Sequence, residues 1–206
     1  MTKYKYIPAP QQTISINELE TGDVLCTHGE RWLSEQIQKF MEVQAHKWYK
    51  VEMFAYFNHM AGWISQENHT IGEAIASGYN LHPIEKYYDK EAINQMIVAR
   101  PKIPFTDEEK KRLIEWAERF DAKNVKYEFT NFFWWIPYIY SKGKIDFSPK
   151  GDKADDRLFC FEAKMMWWKY GRPELIKSDA SKITTVSLLL EKHIPVDIFQ
   201  LTINPK

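Results

Sequence analysis

Cys160 lies in the string Asp156-Arg-Leu-Phe-Cys160-Phe-Glu-Ala-Lys-Met-Met-Trp-Trp-Lys-Tyr-Gly171, which reads as a cysteine in the first turn of an amphipathic helix. Phe161, Met165, Met166 and Trp168 recur along it, and Gly171-Arg172-Pro173 ends the run. Unpaired N–H groups and the macrodipole at a helix start favour the thiolate form, the nucleophile of cysteine hydrolases. Such a nucleophile needs a base. His59 is the candidate: it precedes the small residues Ala61 and Gly62 in a strand-like stretch, where a helix can pack closely. His59 would take the thiol proton and return it to the leaving group. Glu73, in Ile71-Gly-Glu-Ala-Ile75, lies in the next strand along the chain and could hold the far ring nitrogen. The backbone N–H of Cys160 would meet the oxyanion, with Tyr127 as a further donor or orienting hydroxyl.

Cys26-Thr27-His28 is a rival constellation, because residues two apart on a strand share a face. It supplies half a metal site at most, and no further ligands follow at zinc spacing. No metal and no cofactor is expected. His46, His69 and His82 stand in polar or turn contexts and read as solvated, and His193 sits near a helix end, where a cation is favourable.

The elements that must position these groups follow from periodicity and breakers. Thr21-Gly22-Asp23 is a turn before a short strand, Val24 to Cys26, and Arg31 to about Gln44 has helical spacing. Two strands follow, through His59–Ile64 and Ile71–Ile75, with Ser77-Gly78-Tyr79-Asn80 as a turn. Gln95–Ala99 is a further strand, and Thr106-Asp-Glu-Glu109 is a capping box that opens a helix through Leu113, Trp116, Ala117 and Phe120. Lys123 to Tyr140 reads as an aromatic loop within an insertion around 127–150, and Lys142 to Asp156 as a polar linker. Ser181 to Lys192 looks helical, and Val196 to Ile203 is a closing strand. This order is α+β, in one domain spanning 1–206, with an antiparallel sheet packed against helices.

The 206 residues carry a formal net charge of zero, so nothing electrostatic points to nucleic acid. Two cysteines make neither a disulfide scaffold nor a CxxC site, and no signal-peptide stretch or transmembrane window is present. A cytoplasmic setting, in a host cell or encoded by a phage, is the expectation. The aromatic stretch from Tyr127 to Tyr140 has two readings: a packed cover for the sheet, or an apolar lip that touches lipid.

In order along the chain, Thr21-Gly22-Asp23-Val24-Leu25, Asn58-His59-Met60-Ala61-Gly62-Trp63-Ile64, Ile71-Gly-Glu73-Ala-Ile75 with Gly78, Tyr127 and Phe159-Cys160-Phe161-Glu162 resemble the permuted papain-like branch of the NlpC-type hydrolase superfamily. The YiiX/YebB-like proteins are the group most resembled, with lecithin-retinol-acyltransferase-like enzymes as more distant relatives. The resemblance implies a circularly permuted papain-like fold with Cys160 as nucleophile, His59 as base and Glu73 as third member. It implies amide, ester or thioester chemistry through an acyl-enzyme, on a peptide, peptidoglycan-like or acyl-lipid substrate. Where family members show Cys-Ser-Glu, this chain has Cys160-Phe161-Glu162. That bulky residue leaves an alternative, a catalytically inactive or acyltransferase-like module that binds lipid or protein on the same fold.

Overall fold

The computed structural model describes residues 12–27, 32–51, 57–87, 96–129, 131–147, 157–177, 180–190 and 194–202. The strands are β1 (Gln12–Ser15), β2 (Val24–Thr27), β3 (His59–Ser65), β4 (Thr70–Ile75), β5 (Gly78–Pro83), β6 (Ile97–Pro101), β7 (Lys126–Tyr127), β8 (Arg157–Leu158) and β9 (Val196–Thr202). The helices are α1 (Trp32–Gln44), α2 (Asp107–Ala122), α3 (Asn131–Tyr140), α4 (Cys160–Gly171) and α5 (Thr185–Leu190). Seven strands form one sheet in the order β1-β9-β6-β2-β3-β4-β5, antiparallel except for the β1–β9 pair, while β7 and β8 pair separately. The architecture is a mixed α+β one, a large, mostly antiparallel sheet packed with helices.

Apolar side chains divide between two cores. One gathers Val24, Cys26, Met60, Ala74 and Tyr79 with α2 and α4, and the other gathers Leu25, Ala61, Trp63, Ile71 and Val98. The split follows strand alternation, since successive residues point to opposite sides. Both capping-box bonds of α2 form: Glu109 N donates to Thr106 Oγ1 at 3.3 Å and Thr106 N to Glu109 Oε2 at 2.8 Å. The turn ahead of β2 is an anchor. Asp23 is buried and takes a two-pronged contact from Arg100, at 2.8 and 2.7 Å, while Trp168 Nε1 donates to Gly22 O at 2.7 Å.

Four sequence expectations change. Helix α4 is not amphipathic but buried nearly all round, Lys164 included, as befits a central helix. Ser77 to Asn80 is not a four-residue turn. The reversal ends at Ser77, Gly78 supplies the required positive φ of 122°, and β5 runs on to Pro83. Residues 123–140 are not a loop, because they hold β7 and all of α3. The span 181–192 holds a short 3-10 turn and α5, with residues 191–193 outside the described residues. The lead-in before Gln12, His28, His193 and residues 148–156 of the linker also lie outside them.

One glycine lets α4 lie close on the sheet: a Cβ on Gly62 would sit 2.5 Å from the Trp167 ring. A Cβ on Gly72 would sit 2.3 Å from the hydroxyl of Tyr79 on β5. Gly62→Val therefore overfills the Trp167 contact. We expect it to cost about 1–3 kcal/mol of unfolding free energy by urea titration; an unchanged midpoint would mean that the helix does not depend on this approach.

Candidate active site

His59 opens β3, and Glu73 stands opposite Ala61 in the β3–β4 register. His59 is two residues from Ala61, so the two side chains are diagonal neighbours on one side of the sheet. Their rings and oxygens meet: His59 Nε2 lies 2.7 Å from Glu73 Oε2. The remaining partner of the ring is the Cys160 thiol. Cys160 is the first residue of α4, which the Gly62–Trp167 contact holds close to β3. The Tyr127 hydroxyl donates to the same sulfur. The structure thus brings Cys160, His59, Glu73 and Tyr127 into one hydrogen-bonded cluster.

Glu73 is fully buried, and an unpaired carboxylate there would be prohibitively costly. It is instead surrounded by donors. Oε2 accepts from His59 and, at 2.6 Å, from the Tyr87 hydroxyl; Oε1 accepts from Lys86 Nζ at 2.6 Å and lies 2.6 Å from His82 Nε2. Lys86 Nζ also contacts His82 Nε2. His82 is placed by register too: Asn80 pairs Glu73, and His82 is two residues farther along β5, on the same side.

His82, Lys86 and Tyr87 escaped sequence reasoning, and His82 is corrected from a solvated residue to a half-buried one on the Glu73 carboxylate. With the turn extended through Asn80, His82 has no strand to place it. Lys86 and Tyr87 sit at i+4 and i+5 from His82, a spacing that becomes informative only once β5 and the following 3-10 turn are known.

Electrostatics follow from these contacts. Burial pulls His59 down, but its hydrogen bonds to Cys160 and Glu73, and their negative charges, raise it to about 10. Burial pushes Glu73 up, yet the hydrogen bonds from His59 and His82 and the charges of His59 and Lys86 hold it well below the usual carboxylate range. Burial also lowers Lys164 to about 7, against the charges of Glu73 and Cys160. Its ammonium donates to Gly72 O at 2.7 Å and lies over the Tyr79 ring at 4.8 Å. Tyr127 is pushed up by burial and by the adjacent sulfur.

Phe161, the bulky departure beside the cysteine, is occupied in packing. Its ring stacks on Trp135 of α3 at 5.7 Å and meets Phe159 edge-on at 5.2 Å. The aromatic helix and the substituted residue are therefore complementary parts of one contact.

The rival Cys26 lies in the core strand β2, where burial pushes its thiol up to about 12, away from the thiolate a nucleophile needs. His69 pairs Glu85 at 2.8 Å, remote from the sulfur in partner terms, and His46 is exposed. Among the described residues, no group of three or more His, Cys, Asp or Glu side chains is arranged to hold a metal ion.

The shifts fix a pH window. His59 holds its proton more tightly in the folded chain than at its ordinary 6.5, so its contribution is whole below about pH 6.5 and lost as pH rises through about 10. Glu73 is shifted the other way, so its contribution is whole above its ordinary 4.5 and lost as pH falls further. Both are intact between. We expect the unfolding free-energy difference between wild type and Glu73→Gln to be largest near pH 5–6 and to narrow towards pH 10; a pH-independent difference would contradict this.

No family model matches the chain, and no curated protein matches it. Among solved structures it is similar to the crystal structure of metalloprotein yiiX from Escherichia coli O157:H7, DUF1105, at 17% identity over 75% of this chain and 67% of that one, with a TM-score of 0.49.

Proposed function

We propose that the protein is a cysteine hydrolase that acts on an amide or ester bond through an acyl-enzyme on Cys160, in a permuted papain-like arrangement. The observation that carries this is the His59 ring held between the Cys160 thiol and the Glu73 carboxylate. A ring so placed has Nε2 on the carboxylate, which fixes its orientation, and is left with the sulfur as its other partner.

In this reading the thiol proton already rests on His59 at neutral pH, as a thiolate–imidazolium pair stabilised by Glu73, which stays ionised. The thiolate attacks the substrate carbonyl carbon, forming a C–S bond and moving the carbonyl π electrons onto oxygen. The Cys160 N–H, which has no partner within the first turn of α4, and the Tyr127 hydroxyl are the donors for that oxyanion. Collapse expels the amine or alkoxide, which takes the proton from His59 and leaves a thioester. Water then attacks the thioester, His59 removes its proton, and the sulfur departs with the electron pair of the C–S bond. Peptide, peptidoglycan-like and acyl-lipid carbonyls all suit these steps.

One observation favours a second reading, a binding module or acyltransferase-like protein on the same fold: the Cys160 residue is 0% exposed. A buried sulfur reaches substrate only if its neighbours part.

A thiol-directed acylating probe distinguishes the two. Wild type is expected to label at Cys160, located by mass spectrometry, Cys160→Ala not at all, and His59→Ala at least about a hundredfold more slowly at a temperature where circular dichroism shows that variant folded. Failure of native wild type to label favours the binding module, and full-rate labelling of His59→Ala removes the base from the proposal.

A further inference from the structure

The aromatic stretch divides residue by residue. Trp134, Trp135 and Ile139 of α3 are buried, with Trp135 on Phe161 and Phe159, and Trp48 Nε1 donates to Ile139 O at 2.9 Å. Phe133, Ile136 and Tyr140 recur at i, i+3 and i+7 on the other side of the helix and are exposed. Phe129 precedes them. After the helix, Ile145 N donates to Ser141 Oγ at 2.8 Å, which seats Ile145 by the last turn, and Phe147 follows. These six side chains are 40% to 80% exposed. Among the described residues only Ile103 and Tyr170 are other large apolar side chains so exposed. Scattered exposed apolar residues need no explanation; six gathered on one helix and its flanks do.

The fringe of this patch is basic. Lys47 Nζ lies 4.5 Å above the Tyr140 ring, and Lys142 and Lys144 are exposed just beyond the helix. Of the acids there, Asp146 is neutralised by Lys182 at 2.6 Å, and Glu128, next to Phe129, is half-buried. Apolar side chains that enter the acyl boundary, ringed by ammonium groups at the height of the headgroups, match an anionic bilayer and not a neutral apolar partner. The helix is 10 residues long, far too short to cross a bilayer, so it lies along the surface. Its position bears on the sulfur: the Phe129 ring is 4.7 Å from the Tyr127 ring, whose hydroxyl donates to Cys160.

We propose that the outer side of α3, with Phe129, Ile145 and Phe147, docks the protein on an anionic lipid surface, through apolar insertion and the ammonium groups of Lys47, Lys142 and Lys144. Docking places the cysteine cluster beside that surface. It does not depend on turnover at Cys160, so Cys160→Ala should dock like wild type.

The test is co-sedimentation of the full chain with vesicles of phosphatidylglycerol and phosphatidylcholine, against vesicles of phosphatidylcholine alone. Wild type is expected to sediment with the mixed vesicles and at least about tenfold more weakly with the neutral ones. Phe133→Asp with Ile136→Asp should lower binding to the mixed vesicles by at least about tenfold, and Lys142→Glu with Lys144→Glu should remove the preference for charge. All these positions are exposed, and thermal unfolding should not change. Absence of binding, binding indifferent to lipid charge, or binding that the Phe133/Ile136 variant retains would overturn the proposal. So would self-association through this side, seen by light scattering, without vesicle binding. If Cys160→Ala docks while wild type resists the acylating probe, the hydrolase reading fails and docking stands.

Discussion

The imidazole of His59 is held between a sulfur and a carboxylate, both inside the protein, and the rest of the structure is arranged around that chain of contacts. Each end sets a demand. The sulfur must come from the first turn of a helix that is itself buried, so α4 has to approach the sheet more closely than side chains normally allow. Gly62 provides that approach, Trp167 Nε1 ties the helix to Leu113 O at 2.8 Å, and Trp168 ties it to the turn at Gly22. The carboxylate must stay ionised while dry, so it has to be saturated with donors.

Four donors converge on Glu73, from His59, His82, Lys86 and Tyr87, and they come from the two strands that flank β4 and from the turn that follows. A buried charge with its lone pairs filled is tolerable where a half-satisfied one is not. The same saturation gives the carboxylate one fixed direction, which in turn fixes the plane of the His59 ring. Lys164, on the thiol's own helix, adds a buried amine that bonds the carbonyl next to Glu73. The cluster is thus stiff from the sheet side, and the His59 side chain retains 16% exposure while the sulfur beside it is buried.

Much of this was legible in the residues, and what was not has physical reasons. The helix at Cys160 showed through its spacing and its Gly-Arg-Pro end, and the histidine and glutamate strands through their apolar runs. Strand β5 was hidden because Gly78, Asn80 and Pro83 are each breakers when read locally; only pairing with β4, a non-local fact, makes them a strand. His82, Lys86 and Tyr87 vanished with it. Helix α3 was hidden by its own uniformity, since aromatics on every side erase a period and Pro137 argues against a helix. Its two-sidedness appears only when Trp135 is seen against Phe161. Lys164 offered no signal, as a lysine within a helix reads as exposed until burial is known.

The contact between thiol and imidazole can be read directly from the protonation of His59. With histidine labelled in nitrogen-15, the ring resonances of His59 should report an imidazolium through neutral pH and titrate near about 10, and should move towards the ordinary 6.5 in Cys160→Ala. A wild-type ring that titrates at its ordinary value, with no change on loss of the sulfur, would contradict the arrangement on which the whole account stands.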